Sequence, residues 1–254
     1  MTSRGSGRAP RYGLARILSK RGLCSRTQAA EWIRAGRVRV DGRVVRDPEH
    51  PVRPDLDRVE VDGVDDAAPD RHYLMLNKPR GLVTTARDEQ GRDTVYRCLD
   101  GSGLPWLAPV GRLDKASEGL LLFSNDPVWA ASITDPVHGL RKTYHVQIDR
   151  LPEPALLQAL EAGVDCDGEH LAAVRAGLLR QGTRNAWLEI VLDEGRNRQI
   201  RRLLQSHGIG VLRLVRVAIG PLALGALGKG QWRALTPGEV ASLAMPPPVV
   251  ERRD

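Results

Sequence analysis

Apolar positions near the start of the chain recur first with helical spacing and then with a period of two. Leu14, Ile17 and Leu18 mark a first helix that Gly22 closes, and Ala29, Trp32 and Ile33 mark a second that ends at Gly36. Ser25-Arg26-Thr27-Gln28 reads as a capping box at the start of the second helix. Val38, Val40 and Val44 then alternate around Asp41-Gly42, a strong hairpin signal, and Val59-Glu60-Val61-Asp62-Gly63 reads as a last strand and turn. From Tyr73 the strand-like runs are Tyr73–Asn77, Leu120–Ser124, Lys142–Ile148, Trp187–Leu192 and Val211–Val217, with helices expected at Pro127–Ile133, Pro154–Ala162 and Arg198–Ser206. Strands in blocks broken by a few helices predict an α+β fold: a small helix-helix-hairpin module followed by a larger, mainly antiparallel sheet domain. The expected division is a basic, disordered leader at 1–11, a module at 12–62, a linker at 63–71, a larger domain at 72–243 and a flexible tail at 244–254.

Charge sharpens this division. The 254-residue chain carries 38 Lys+Arg against 31 Asp+Glu, a net +7. Residues 1–46 hold a net +10, residues 47–70 a net −7, and Gly195–Arg216 six arginines with no acid. Both basic blocks coincide with ordered patterns, and arginine suits bidentate phosphate contacts. In the first module Arg16, Arg21, Arg26, Arg34, Arg37 and Arg39 interleave with the apolar positions and so are expected on the solvent face, where the phosphates of structured RNA are a natural partner.

Other classes are disfavoured. No stretch approaches the roughly 18 apolar residues of a membrane span, and the first residues lack a signal-peptide core, so a cytoplasmic protein with no membrane partner is expected. Cys24, Cys98 and Cys166 are too far apart for a zinc site, and no H-E-x-x-H occurs, so no metal is expected. No glycine-rich nucleotide loop follows a strand, which argues against a nucleotide or methyl-donor cofactor and hence against an RNA methyltransferase.

Three segments carry candidate chemistry. In Gly111-Arg112-Leu113-Asp114-Lys115-Ala116-Ser117-Glu118-Gly119 an Asp lies in a polar loop just before an apolar strand, where cationic neighbours can keep it ionised, and Glu118 is a rival carboxylate. In Glu194-Gly195-Arg196-Asn197-Arg198-Gln199-Ile200-Arg201-Arg202 a helix would bring Arg198, Arg201 and Arg202 to one face. In Arg141-Lys142-Thr143-Tyr144-His145, Tyr144 sits mid-strand, a position that packing alone also explains.

Two resemblances join these segments. Residues 14–42 resemble the small RNA-binding domain first described in a small-subunit ribosomal protein. Gly111–Leu121, Leu76-Asn77-Lys78-Pro79-x-Gly81, Lys142-Thr143-Tyr144 and Glu194–Arg202, in that family's order, resemble the bacterial ribosomal RNA pseudouridine synthases of the RsuA/RluB/RluE/RluF family. The resemblance implies a cofactor-free isomerase that flips a uridine out of RNA, cleaves its glycosidic bond and rejoins the base through carbon 5. It implies Asp114 as the essential carboxylate, either attacking the anomeric carbon or removing the 2′ proton, and Arg201 as its ion-pair partner. Tyr144 would stack on the base, and Arg112 would fill the space of the flipped nucleotide. Lys78, Arg196, Arg198 and Arg202 are expected to contact RNA. Large-subunit ribosomal RNA or a pre-ribosomal particle is the expected partner of a monomeric enzyme. Small-subunit RNA, tRNA, or a non-catalytic role in RNA binding or ribosome assembly are the alternatives. Asp135–Leu140 departs from the family pattern beside the site, where it bears on target choice.

Overall fold

A computed structural model describes residues 10–64, 70–135 and 140–244. The expected leader up to residue 9, linker residues 65–69, tail residues 245–254 and most of the Asp135–Leu140 segment lie outside these residues. The chain divides into two compact units, one built from 1–72 with 104–108 and 125–127, the other from the remainder.

The first unit runs β1 (Tyr12–Gly13), α1 (Leu14–Lys20), α2 (Arg26–Arg34), β2 (Val38–Val40), β3 (Arg43–Val44), β4 (Pro51–Val52) and β5 (Val59–Val61). The Gln28 N–H donates to Ser25 Oγ at 3.1 Å, which caps α2 as its sequence predicts. Asp41 and Gly42 both take positive φ, 50° and 76°, the geometry of a tight primed turn between β2 and β3. β2 lies between β3 and β5, with Val38 and Val40 turned inward and Arg39 outward. Leu14, Leu18, Cys24, Ile33, Val38, Val52 and Val59 share one core. Burial there pushes the Cys24 thiol up to about 11, so it behaves as a small apolar residue.

The second unit contains β6 (Tyr73–Lys78), a 3₁₀ turn (Val95–Leu99), β7 (Ala108–Val110), β8 (Glu118–Ser124), α3 (Pro127–Thr134), β9 (Lys142–Ile148), α4 (Leu156–Ala162), β10 (Val164–Cys166) and β11 (Glu169–Leu171). It continues with β12 (Arg175–Gln181), β13 (Ala186–Leu192), α5 (Gln199–Ser206), β14 (Val211–Ile219), β15 (Leu222–Ala223), β16 (Trp232–Ala234) and α6 (Pro237–Ala244). Among the described residues a nine-stranded sheet has the order β12-β13-β9-β14-β8-β6-β16, with β15 against β14 and β7 against β8. Along that path β14 and β8 run parallel and the other neighbours antiparallel. β8 is buried throughout, which explains its unbroken apolar run Leu120–Phe123. β9, β13 and β14 instead alternate, with Tyr144, Ile190 and Arg216 side by side on one face. Among the described residues no helix is long and apolar enough to cross a membrane.

Candidate active site

That face of β9, β13 and β14 floors a cleft of about 650 Å³. Its walls are the loop 110–117 between β7 and β8, the end of α3 at Ile133 and Thr134, and the segment 192–200 leading into α5.

The first wall carries Asp114, and its backbone is fixed from below. Lys78, at the end of β6, has no exposed surface and donates from Nζ to Ser117 O at 2.8 Å, Pro79 O at 3.1 Å and Asp114 O at 3.2 Å. Thr84 Oγ1 donates to Leu113 O at 2.7 Å, and the Gly81 N–H donates to Lys115 O at 2.8 Å. The Leu76–Gly81 segment therefore holds the Asp114 loop by its main chain. Burial lowers the Lys78 pKa to about 8, since a desolvated ammonium is costly even with three carbonyls around it. Lys78 was expected at the RNA; its complete burial corrects that reading and makes it a support of the loop. The Asp114 carboxylate lines the cleft and makes no hydrogen bond or ion pair among the described residues.

The floor presents Lys142 and Tyr144 from β9 and Leu214 and Arg216 from β14, with Leu192 and Ile219 alongside. Tyr144 is buried in the cleft wall. Arg216 is only 6% exposed; its Nε donates to Leu120 O at 2.7 Å, while Nη2 is buried without a partner. Burial, and secondly the charge of Arg216, hold the Lys142 pKa below the ordinary lysine range. Arg216 also abuts the motif: Gly119 has φ +101°, and a Cβ there would lie 2.3 Å from Arg216 O. Only glycine permits β8 and β14 to approach so closely at that backbone angle.

The arginine-rich segment does not share one face. Arg198 precedes α5 in a left-handed conformation, φ 50°, and is exposed at the cleft. A non-glycine residue held there is strained, a feature that gathers at functional sites. Arg201 does not form the expected ion pair with Asp114: no such contact lies within 4.0 Å, and its Nη2 donates to Ala116 O at 3.1 Å and Nη1 to Val211 O at 3.4 Å. It braces the same loop through the backbone and acts on Asp114 only through space, while burial lowers its own pKa. Arg202 points elsewhere, binding Glu169 at 2.6 Å, Asp167 at 3.3 Å and Cys166 O at 2.8 Å, so its guanidinium anchors the β10–β11 hairpin rather than RNA. Arg196 lines the cleft but donates to Glu194 at 2.8 Å and His170 O at 2.9 Å. Arg112 is exposed at the cleft.

Glu118, the rival carboxylate, is buried and bound by Arg213 at 3.0 Å and Lys229 at 2.7 Å. Burial pushes its pKa up, but the hydrogen bonds from Arg213 and Lys229 together outweigh burial and leave it below the usual carboxylate range. It does not line the cleft, so no carboxylate pair forms with Asp114.

In the first unit Arg16, Arg26 and Arg34 are exposed and make no ion pair among the described residues. Arg37 lies over the Trp32 ring at 5.2 Å and donates to Asp62 O at 3.0 Å, and Arg39 pairs with Asp62 at 3.5 Å. Arg21 is half-buried and donates to Val59 O at 2.9 Å, a tie between α1 and β5.

Sequence reasoning named Lys142 only within its motif and passed over Arg216 as the end of a basic block. The signal was the alternation Leu214, Arg216 on a half-buried strand, which turns a cation toward the inner face.

A family model described as RNA pseudouridylate synthase matches residues 72–206, and an S4 domain model matches residues 13–57. An uncharacterised RNA pseudouridine synthase of Aquifex aeolicus (strain VF5) is 36% identical over 230 residues, covering 90% of this chain and 92% of that protein. The ribosomal large subunit pseudouridine synthase B of Bacillus subtilis (strain 168) is 34% identical over 233 residues, covering 91% and 94%. A crystal structure of a pseudouridylate synthase superposes with a TM-score of 0.63 at 28% identity, covering 91% of this chain and 99% of that one.

Proposed function

Since the chain belongs to the RNA pseudouridine synthase family and carries an S4 domain ahead of its synthase domain, we propose that it isomerises a uridine of large-subunit ribosomal RNA in the cytoplasm, with Asp114 as the catalytic carboxylate. The choice of RNA follows the Bacillus subtilis relative, whose name places its activity on the large ribosomal subunit. The observation that carries the catalytic assignment is Asp114 itself: the backbone of its loop is held at Leu113, Asp114 and Ser117, and its carboxylate is unpaired among the described residues in the cleft that Tyr144 and Arg216 also line.

The reaction breaks the bond between ribose carbon 1′ and uracil N1, turns the base and forms a bond from carbon 1′ to carbon 5. Carbon 5 loses a proton and N1 gains one. An ionised Asp114 can meet the positive charge at carbon 1′ by direct attack, or can generate a glycal by taking the 2′ proton. A stacked base cannot reach a recessed carboxylate, so the nucleotide must flip, at a cost of roughly a few kcal/mol. Tyr144 offers a buried ring for stacking, and Arg112 stands exposed at the cleft to take the place of the flipped base. Of the arginines expected at RNA, Arg16, Arg26 and Arg34, and Arg198 at the cleft, are exposed and make no ion pair among the described residues, which leaves them open to phosphates.

The test is tritium release from large-subunit ribosomal RNA labelled at uracil carbon 5. Wild-type protein should release tritium, and Asp114→Asn should lower the rate by at least about 10³-fold while still binding RNA. Equal release by the two proteins overturns the assignment of Asp114. Release from small-subunit RNA or tRNA alone overturns the choice of substrate.

A further inference from the structure

The cleft floor holds two cations that the roles given to Asp114, Tyr144 and Arg112 leave without a task. Arg216 is 6% exposed and its side chain makes one hydrogen bond among the described residues, from Nε to Leu120 O. Its Nη2 is enclosed with no acceptor. Lys142 is half-buried and lines the same cleft, and its ammonium makes no hydrogen bond or ion pair among the described residues. Asp193, the acid whose charge acts on Lys142, lies farther than the 4.0 Å of an ion pair. The more exposed guanidinium groups Arg213 and Arg233 are matched by Glu118 and Glu239, whereas Arg201, with a buried unpartnered Nε of its own, is spent on the carbonyls of Ala116 and Val211 that brace the Asp114 loop. A buried cation with an unsatisfied donor at a cleft is a position that a ligand can complete.

We propose that Arg216, with Lys142 beside it, binds the detached uracil ring and takes up the negative charge the ring bears between bond cleavage and rejoining. This rests on the synthase reading. When the carbon 1′–N1 bond breaks heterolytically, its electron pair stays with the base, giving a uracil monoanion with charge shared among N1 and the two carbonyl oxygens. The same pair then forms the bond from carbon 5 to the electrophilic carbon 1′, which neutralises the ring, and the neutral adduct becomes the product when carbon 5 loses its proton and N1 gains one. The substrate base is neutral and the detached base anionic, so a fixed cation favours the intermediate and the step leading to it over the ground state. The surroundings fit a flat ring better than a phosphate: Leu192, Leu214 and Ile219 line the same floor, and a phosphate would lose hydration against them. In-plane guanidinium donors match in-plane carbonyl acceptors. The backbone of Arg216 is itself fixed by the close approach of Gly119.

The experiment compares wild type with Arg216→Gln, Arg216→Lys and Lys142→Gln in single-turnover conversion of RNA. It uses uridine or 5-fluorouridine at the target, read as loss of the parent nucleoside from nuclease digests, alongside RNA affinity across salt concentrations. Arg216→Gln should slow uridine conversion on the order of 10²-fold, with RNA affinity and its salt slope unchanged. Arg216→Lys should lose less. On 5-fluorouridine the deficit should shrink by about tenfold, because the fluorine stabilises the departing anion without help. A purely structural role predicts the same deficit on both substrates, and that result overturns the proposal. So does weakened affinity with a shallower salt slope, which would mark a phosphate contact, or an unchanged rate. Should Arg216→Gln fail to fold, Lys142→Gln, which breaks no hydrogen bond, decides by the same criteria. An inactive wild type would overturn the synthase reading and this inference with it. An active wild type with indifferent variants overturns this inference alone.

Discussion

The two faces of the sheet formed by β13, β9 and β14 carry similar residues and treat them oppositely. On the face away from the cleft each cation meets a carboxylate or a ring. Arg213 and Lys229 share Glu118, Arg175 pairs with Glu189, and Arg180 and Arg213 lie over the Trp187 ring at 5.1 and 5.4 Å. On the cleft face Lys142 and Arg216 stand near a carboxylate, Asp114, that pairs with neither. Alternation along three strands thus sorts one basic composition into a structural surface and a chemical one. Arginine content alone does not mark a ligand site; the absence of a matched acid does.

The sharpest way to break this contrast is to disturb the cleft side without touching its charges. Lys78→Met removes the ammonium that holds the Asp114 loop, and misplacing a reacting group by an ångström costs about 10²-fold. The variant should lose that much in kcat with RNA affinity unchanged; lost affinity would return Lys78 to RNA contact. The pH dependence has a definite sign. Lys78 titrates near 8 in the folded chain and near 10.4 when unfolded. Between those values the unfolded state holds the extra proton, so wild type should gain stability over Lys78→Met as the pH rises from 8 toward 10 in urea titrations.

Glu118→Gln tests the other face. Its partners Arg213 and Lys229 are partly exposed, so water can solvate them once the acid is gone, and the loss should be about 1–3 kcal/mol by denaturant unfolding. Activity per folded molecule should stay within about twofold of wild type. Because the Glu118 pKa is depressed, its contribution is present above about pH 4.3 and is lost as the pH falls below that. The variant should lack that part of the acid limb. A large loss of kcat would show that the two faces are coupled.

The same rule extends to the first unit with a smaller effect. Arg26→Ala, removing an exposed unpaired cation, should reduce the salt slope of RNA binding by about 0.7–0.9. Arg202→Ala, removing a guanidinium already held by Glu169 and Asp167, should leave that slope unchanged. Identical slopes in binding titrations would end the distinction.

Legibility from sequence tracks how fully each element is embedded. β9 alternates between inward and outward residues and its limits, Lys142–Ile148, are those its sequence predicts. The capped α2 and the Asp41-Gly42 hairpin are equally plain, because each is written in local turn chemistry. β12 is not legible: as an edge strand it leaves most of its residues exposed, so no alternation marks it, and the short β10–β11 hairpin has too few residues to show a period. In the site, Asp114 and Tyr144 could be named from motifs. The directions of Arg201, Arg202 and Lys78 could not, because they depend on which carbonyl or carboxylate the fold brings near. Arg198 shows the same limit: helical spacing assigns it to α5, yet it stands outside the helix with a reversed φ.

Gly119 sets a gauge in the architecture. Its positive φ and the 2.3 Å that any Cβ would leave to Arg216 O bind the strand that follows Asp114 to the strand bearing Arg216 through main chain alone. Side-chain replacement cannot retune that spacing by small steps, since the first carbon added already collides. Substitutions at the rim of the cleft leave this gauge between the two strands untouched, because it is set by main chain and not by any side chain there.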